Sequence, residues 1–357
     1  MARPALMKGN EAAAEAALRA GCRFYAGYPI TPQTELLEYM ATNLPRVGGR
    51  FIQSESELAA ISMVYGASAA GLRAMTSSSS TGVSLMQEGL SYLASAELPA
   101  VIVNVSRGGP GLGRICPSQA DYFQATKGGG HGDYHLIVLA PASVQEMADL
   151  VFLAFDLADR YRNPVMILAD GMLGQMMESV VLQEPVESVP ARPWAVRGRG
   201  DGARNIVISA PYTDADLRAM NLRLKDKYRR LAEAESRHEL HGAEEVEHLV
   251  VAFGTAARFA MEAVDSLRAD GLKAGLLRPV TLFPFPYDAF KKPARSLKSV
   301  LVVEMNEGQM IEDVKLGLCA AGFRGRVGSF GGGGGFIPSP ADIEREVLRV
   351  AGMKVVA

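Results

Sequence analysis

The sequence predicts an α/β fold, a doubly wound parallel sheet followed by a smaller α/β unit. Short, almost wholly apolar runs alternate with segments of helical periodicity, as expected for parallel strands that are covered on both faces. Many of the 37 glycines directly follow these apolar runs and indicate repeated strand-to-helix turns. In the first unit, strands are predicted at 22–26, 72–76, 100–105, 136–140 and 165–169, and helices at 10–20, 33–43, 56–70, 82–96 and 144–161.

The first turn of this pattern already has the features of a binding site. Asn10 is predicted to cap the first helix, and Gly21 to end it. After the first strand, Thr31 is predicted to cap the next helix, with Pro32 in its first turn. A threonine hydroxyl and free N–H groups at the carboxyl end of a parallel strand form a pocket for a small anion, although Thr31 can equally be a plain cap.

The domain bounds follow from changes in composition. We place the first domain at 1–180, a linker and charged helical segment at 181–247, and a second domain at 248–357. Three prolines and charge without helical periodicity predict the linker proper at 184–203. Leucines at helical spacing predict an exposed helix over 214–248, namely Leu217, Leu222, Leu224 and Leu231. The second domain is predicted to contain strands at 249–253, 275–279 and 300–304, a helix through 267 and a last helix from about 341.

Composition excludes several classes of protein. A formal net charge of −2 gives no reason to expect nucleic acid or a membrane surface as partner, and no apolar run reaches the roughly 18 residues that span a bilayer. The first ten residues lack the apolar core of a secretion signal. The three cysteines are far apart and predict neither a metal cluster on this chain nor disulfides, which favours a cytoplasmic location.

Two glutamates that follow residue 53 are candidates for a single cofactor-binding carboxylate. Glu57 and Glu55 lie at a predicted strand-to-helix turn. A carboxylate at a helix start is favoured by the helix dipole, so a purely structural role is open. The chemical alternative is a buried glutamate that hydrogen-bonds a ring nitrogen of a cofactor.

Arginine and hydroxyl side chains follow two other strands. Arg107 ends a buried strand and precedes a glycine-rich loop that leads to Arg114. A guanidinium there can bind a substrate carboxylate through two hydrogen bonds, or pair with a structural acid. The hydroxyl-rich turn 77–81 can hold an anion or cap the following helix.

Three other motifs are weaker candidates. The glycine-rich loop 127–133 can act as a lid or be disordered. His238 and His241 have a spacing that can bind metal, but they lie in a charged, solvated segment. The glycine run 331–335 lacks the pattern of a dinucleotide or phosphate loop, and close backbone packing is the better interpretation.

Together these segments resemble the alpha subunit of the 2-oxoacid:ferredoxin oxidoreductases, and most closely the branched-chain (2-oxoisovalerate) subgroup, with the 2-oxoglutarate subgroup next. The resemblance covers nearly the whole chain. It rests on Lys8-Gly-Asn-Glu-Ala12, Tyr28-Pro-Ile-Thr-Pro32, Gln53-Ser-Glu-Ser-Glu57, Arg107-Gly-Gly-Pro-Gly111, Pro117-Ser-Gln-Ala-Asp121, Gly130-His-Gly-Asp133, Leu277-Arg-Pro-Val-Thr-Leu-Phe283 and Val303-Glu-Met-Asn-Glu-Gly308.

The resemblance implies a chemistry and roles for single residues. It implies oxidative decarboxylation of a 2-oxoacid by thiamine diphosphate, with coenzyme A as acyl acceptor and ferredoxin as electron acceptor. Glu57 aligns with the glutamate that bonds the aminopyrimidine ring of the cofactor. Thr31 and Arg107 align with residues that meet the substrate's carboxylate and carbonyl, and Arg114 is a further substrate-binding candidate. The second domain resembles the transketolase C-terminal domain and is expected to serve assembly.

The resemblance also implies partner chains. The sequence has no Gly-Asp-Gly followed at the usual distance by Asn, and no cysteine cluster motif. We therefore expect a beta subunit with the diphosphate, Mg²⁺ and [4Fe-4S] sites, a ferredoxin-like delta subunit and a separate gamma subunit. Two alternatives remain open: an assembly scaffold that has lost the chemistry, and a protein that binds a nucleotide or coenzyme A at 331–335.

Overall fold

The computed structural model describes residues 4–198, 202, 204–242 and 245–353. Small parts of the predicted linker (199–201 and 203) and of the charged segment (243–244) therefore lie outside the described residues.

Strands and helices alternate through the first half of the chain. The strands are β1 (Ala5–Lys8), β2 (Phe24–Gly27), β3 (Arg50–Gln53), β4 (Ala74–Ser78), β5 (Ala100–Gly108), β6 (Arg114–Pro117), β7 (Ile137–Leu139), β8 (Pro164–Asp170) and β9 (Met177–Val180). The helices are α1 (Gly9–Arg19), α2 (Thr34–Asn43), α3 (Glu57–Ala69), α4 (Thr81–Ser95), α5 (Tyr122–Thr126), α6 (Val144–Tyr161) and α7 (Gly171–Gln175).

The second half forms another α/β unit. Its strands are β10 (His238–His241), β11 (His248–Ala252), β12 (Ala274–Pro279), β13 (Thr281–Phe283), β14 (Ser299–Glu304) and β15 (Arg326–Gly331). Its helices are α8 (Asp214–Glu235), α9 (Gly254–Ala269), α10 (Met310–Ala320) and α11 (Pro340–Ala351).

The predicted doubly wound parallel sheet is confirmed. The strand order of the first sheet is β13-β7-β8-β5-β4-β2-β3, and every pair from β7 to β3 is parallel. From β2 the chain runs outward to β3 on one side and returns to β4 on the other, so the winding reverses between β2 and β4. Ligands of such sheets bind outside the carboxyl ends of the strands at that reversal.

The central strands are apolar throughout because both faces of the sheet are covered. On β5, Val101, Val103 and Val105 belong to one apolar cluster, with α1, α2 and α6. Ile102 points to the opposite cluster, with α3, α4 and residues of the second unit. β5 therefore contributes side chains to the apolar clusters on both faces of the sheet.

The outer edge of the first sheet is closed by a strand from far along the chain. β13 pairs antiparallel with β7, with Thr281 opposite Leu139 and Phe283 opposite Val138. The second sheet has the order β10-β12-β11-β14-β15, in which only β10 is antiparallel to its neighbour.

The charged segment differs from its prediction in two respects. The helix ends at Glu235, and the chain then enters β10, where Leu240 pairs with Leu277 of β12. Of the four leucines at helical spacing, Leu224 and Leu231 are buried, and Leu217 and Leu222 are 45% and 56% exposed. The apolar face that packs on the first domain includes Tyr228 instead.

The predicted cap of the first helix is wrong. α1 begins at Gly9, and Asn10 lies buried inside it. The Asn10 side chain donates from Nδ2 to the carbonyl oxygen of Pro32 (2.8 Å) and to Glu35 (3.0 Å), and these tertiary contacts hold it inside the helix. Within the described ranges, no helix combines the length and apolarity required to cross a bilayer.

Candidate active site

Four predicted site segments meet at the carboxyl edge of the first sheet. β2, β3, β4 and β5 end side by side in parallel. The loop that contains Thr31 follows β2, Glu57 follows β3, the 77–81 turn ends β4, and Arg107 lies at the end of β5. Parallel strands present their carboxyl ends at one edge, so the topology brings together side chains that are up to 76 residues apart.

Arg107 is the centre of this cluster. The residue is 8% exposed, and its guanidinium donates from Nη1 to the carbonyl oxygen of Thr31 (2.9 Å). Nη2 donates to the carbonyl oxygen of Leu112 (2.8 Å) and to Thr81 Oγ1 (3.3 Å). The guanidinium therefore joins the ends of three strands.

The charge of Arg107 is not balanced by these partners. All three acceptors are neutral oxygens, and the buried Nε donor makes no hydrogen bond within the described part of the chain. The alternative of pairing with a structural acid is thus not seen among the described residues. A buried cation without a counter-ion is costly, and an anionic ligand would remove that cost.

Glu57 is buried at the start of α3, with 4% of its surface exposed. Its Oε1 accepts a long hydrogen bond of 3.3 Å from Ser78 Oγ. The N-terminal position favours a carboxylate electrostatically, while Ser56, not Glu57, caps the helix through Ala59 N–H. Glu55, the competing candidate, is exposed.

Gly82 makes the position of Glu57 possible. A Cβ at Gly82 would overlap Glu57 Oε1 and Ser78 Oγ, so only glycine lets the carboxylate lie against the first turn of α4. The contact places Glu57 on one side of this turn, and Thr81 on the other side contacts Arg107.

The predicted capping role of Thr31 is wrong. α2 begins at Thr34 with Gln33 as N-cap residue, so Pro32 is not in the first turn either. The preceding loop is fixed from other elements, because Asn10 and Gln175 donate to the carbonyl oxygen of Pro32. The Thr31 side chain is exposed at the mouth of the cluster, and its backbone oxygen holds Arg107.

The hydroxyls of the 77–81 turn are mostly engaged inside the protein. Ser77 Oγ accepts a hydrogen bond from the Tyr25 hydroxyl and donates one to Gln33 Oε1, and both distances are 2.6 Å. Burial raises the pKa of the Tyr25 hydroxyl, which keeps it a donor. Ser80 does not cap α4 with its side chain; it has a positive φ of 32° and donates to Asp121. Ser79 Oγ is buried and has no partner among the described residues.

The remaining candidates lie elsewhere. Arg114 is exposed on β6, the outer strand of the hairpin that follows Arg107. The 127–133 loop packs on α4 around Gln87, and Lys127 pairs with Asp313 of the second unit. His238 and His241 lie on strand β10, where an odd spacing of three puts them on opposite faces, and His241 binds Asp265 (2.5 Å).

The glycine run 331–335 packs closely against neighbouring backbone and side chains, as the sequence predicts. A Cβ at Gly331 would overlap the carbonyl oxygen of Glu304, and Gly335 lies against Cys116 on the hairpin after Arg107. Gly333 N–H donates to Glu307 Oε1 (2.7 Å).

Two polar residues of the cluster were not predicted from the sequence. Asn104 and Asp121 are buried next to Ser80, and Asn104 Nδ2 donates to Asp121 Oδ2 (2.9 Å). An asparagine within the run Ala-Val-Ile-Val-Asn-Val was a usable signal, because a polar side chain inside a doubly covered strand needs a partner.

Comparison with known proteins assigns both halves of the chain to one family. The model for the thiamine-diphosphate-binding domain of pyruvate flavodoxin/ferredoxin oxidoreductases matches residues 15–237, more than half of the chain. The model for core domain II of pyruvate:ferredoxin oxidoreductases matches residues 246–343.

Named relatives agree with these matches. Ketoisovalerate oxidoreductase subunit VorB of Methanothermobacter marburgensis is 51% identical over 97% of this chain and 98% of its own length. The 2-oxoglutarate synthase subunit KorA of Archaeoglobus fulgidus is 43% identical over 88% of this chain and 91% of its own length.

Two solved structures share the fold. The 2-oxoglutarate:ferredoxin oxidoreductase from Magnetococcus marinus, with 2-oxoglutarate, coenzyme A and succinyl-CoA bound, superposes with a TM-score of 0.88 at 28% identity. It covers 98% of this chain, which spans 66% of that longer chain. A split-gene transketolase gives a TM-score of 0.61 at 15% identity over 98% of this chain and 99% of its own, a likeness of fold alone.

Replacing Gly82 by Ala is expected to destabilise the protein by about 1–3 kcal/mol, because the new methyl group displaces Glu57 and the start of α4. Gly66→Ala is a matched control, since Gly66 is also helical but has nothing within 4 Å of its Cβ position. It should stabilise by up to about 1 kcal/mol. Thermal unfolding measures both, and a Tm for Gly82→Ala at or above that of Gly66→Ala would contradict the packing described.

Proposed function

The chain belongs to the 2-oxoacid:ferredoxin oxidoreductase family, a family of thiamine-diphosphate-dependent enzymes, and from that premise we propose that it is the alpha-type subunit that holds the substrate and the pyrimidine end of the cofactor. The observation that carries the proposal is the pairing of a buried, weakly bonded Glu57 with a buried, uncompensated Arg107 at one sheet edge.

The residues at this edge fit the aminopyrimidine part of thiamine diphosphate. Glu57 is buried, yet its one hydrogen bond is long, which leaves a carboxylate able to bond a ring nitrogen. When bound, the cofactor supplies the carbon nucleophile that adds to the 2-oxoacid carbonyl and stores the electron pair released with carbon dioxide. Glu57 would hydrogen-bond the pyrimidine ring nitrogen, and its burial would exclude water from that hydrogen bond.

Arg107 is proposed to bind the substrate carboxylate. Its buried Nε donor has no partner among the described residues, and a carboxylate bound beside the guanidinium would balance the buried charge. The Thr31 side chain, exposed beside the guanidinium, is proposed to meet the same carboxylate or the adjacent carbonyl. Arg114, on the outer strand of the neighbouring hairpin, is proposed as a secondary contact for the substrate.

The site is proposed to be completed by partner subunits. Gly-Asp-Gly occurs at 200–202, but the next asparagine, Asn205, follows after only two residues, and no two cysteines form a CxxC pair. We therefore assign the diphosphate, Mg²⁺ and [4Fe-4S] sites to a beta subunit, alongside gamma and delta subunits. Exposed apolar side chains beside the site support a subunit contact there: Leu58 follows Glu57, Leu85 lies one turn beyond Gly82, and Leu112 and Ile115 lie on the hairpin.

The proposed reaction is oxidative decarboxylation of a 2-oxoacid. The acid, coenzyme A and oxidised ferredoxin give acyl-CoA, carbon dioxide and reduced ferredoxin, with the two electrons passing through the partner's clusters. A branched-chain acid is the proposed substrate, because the relative at 51% identity is named for ketoisovalerate and the one at 43% for 2-oxoglutarate.

Replacing Glu57 by Gln is expected to lower kcat of the assembled enzyme by about 100-fold or more, because an amide cannot exchange the proton with the ring nitrogen. Steady-state ferredoxin reduction measures kcat. Glu55→Gln changes an exposed glutamate two residues away and should keep kcat near the unmodified value. Near-normal turnover of assembled Glu57→Gln enzyme would sink the assignment.

Replacing Arg107 by Ala is expected to raise KM for the 2-oxoacid by about 10- to 100-fold, because a charge-assisted hydrogen bond to the carboxylate is lost. Arg107→Lys keeps the charge without the planar guanidinium, and its KM for the 2-oxoacid should lie between those of the unmodified enzyme and Arg107→Ala. Arg114→Ala should have a smaller effect, since its side chain is exposed. A change confined to KM for coenzyme A would place Arg107 outside the substrate site.

A panel of 2-oxoacids tests the substrate. We expect kcat/KM for 2-oxoisovalerate to exceed that for 2-oxoglutarate by about tenfold or more, since a site that takes a branched aliphatic side chain would have to desolvate the second carboxylate of the larger acid. The reverse preference would assign the chain to the 2-oxoglutarate subgroup. Similar values for both acids would also contradict the branched-chain proposal.

A further inference from the structure

Gln119 makes four hydrogen bonds between the two domains. Gln119 is 3% exposed and lies between β6 and α5. Its backbone N–H donates to the carbonyl oxygen of Met305 (2.9 Å), and its Oε1 accepts from Met305 N–H (3.0 Å). Its carbonyl oxygen accepts from Asn306 Nδ2 (2.9 Å), and its Nε2 donates to the carbonyl oxygen of Phe253 (2.8 Å). We call these four hydrogen bonds the Gln119 latch.

The far side of the latch is itself rigid. Glu304, 1% exposed, accepts from the N–H groups of Met310 (2.7 Å) and Ile311 (3.1 Å) and from Asn306 Nδ2 (3.1 Å). The carboxylate thus fixes the first turn of α10 and the asparagine that reaches across the interface. The second domain offers the latch a preformed surface.

The near side of the latch leads into the candidate active site. Asp121, two residues beyond Gln119, is 9% exposed, and its Oδ2 accepts from Ser80 Oγ (2.7 Å) and Asn104 Nδ2 (2.9 Å). Ser80 Oγ in turn accepts from the backbone N–H of Arg107 (2.9 Å). Asn104 Oδ1 accepts from the N–H of Ser80 (3.1 Å).

Ser80 needs this support. Its φ of 32° lies in the left-handed region that non-glycine residues rarely adopt, and such a conformation persists only where neighbours impose it. The next residue is Thr81, which contacts Arg107, and Gly82 follows against Glu57. A change in the backbone conformation of Ser80 would therefore shift both Arg107 and Glu57.

We propose that Asp121 is a positioning residue for the reaction and that the second domain, through the Gln119 latch, sets the geometry of the substrate site. This rests on the proposed function, in which Arg107 binds the 2-oxoacid carboxylate. The second domain then takes part in substrate binding as well as in assembly. Asp121 acts through Ser80 and does not touch the substrate.

The test is steady-state kinetics on the assembled enzyme. Asp121→Ala and Ser80→Ala each break the path to Arg107 and should raise KM for the 2-oxoacid by about tenfold, with kcat within about threefold. Asp121→Asn keeps an oxygen acceptor and should restore KM to within about threefold of the unmodified enzyme. Gln119→Ala should raise KM in the same direction, and Asp270→Ala, at an exposed aspartate of the second domain, should leave it unchanged.

Double variants separate positioning from general destabilisation. If Asp121 acts through Arg107, Asp121→Ala combined with Arg107→Ala should give no higher KM than Arg107→Ala alone. Multiplying effects would overturn the proposal. If Asp121→Ala does not assemble, Ser80→Ala and Gln119→Ala decide by the same criterion.

The controls also separate this inference from the proposed function. A KM that responds to Arg107→Ala but to neither Asp121→Ala nor Ser80→Ala overturns the positioning role alone. A KM that does not respond to Arg107→Ala overturns the proposed carboxylate site and this inference together.

Discussion

The structure is organised around a buried guanidinium whose partners are all uncharged. Arg107 sits where the winding of the first sheet reverses, and it is held by oxygens from the loops that follow β2, β4 and β5. Three neutral hydrogen bonds fix its direction but do not offset the cost of removing its charge from water. In the proposed function an anion bound at Arg107 would offset this cost, and stability and affinity would then be coupled at one residue.

Helices whose ends and packing are determined by their own sequence were predicted well. The bounds of α6 are those of its helical pattern, because Ser143 caps it and its apolar stripe packs on the sheet. Short strands such as β10 and β13 were missed, since four or fewer residues at a sheet edge carry little pattern. Both cap predictions failed for one reason: Asn10 and the loop around Thr31 are bonded to distant elements, which overrides local preference.

The candidate site also has parts that could be predicted from the sequence and parts that could not. The structure places Glu57, Arg107 and Thr31 at one sheet edge, as expected where parallel strands share a carboxyl edge. Residue type alone left Glu55 and purely structural roles open, and the family resemblance singled these three residues out. What surrounds them could not be predicted. The strained turn at Ser80 and the acceptors of Arg107 depend on loop conformations that have no periodic signature. Two motifs without an evident chemical role, around Gln119 and Met305, turn out to meet across the domain interface.

The pairing of β13 with β7 has a consequence for the order in which the chain matures. While the protein is being synthesised, β7 leaves the ribosome long before Thr281 and Phe283, and its outer edge has no partner until they arrive. An unpaired parallel sheet edge is a template for association with other chains. The sheet of the first domain is therefore completed only after the first part of the second domain has been made. The outer edge of β7 is therefore exposed to other chains during that interval, until β13 has been synthesised and pairs with it.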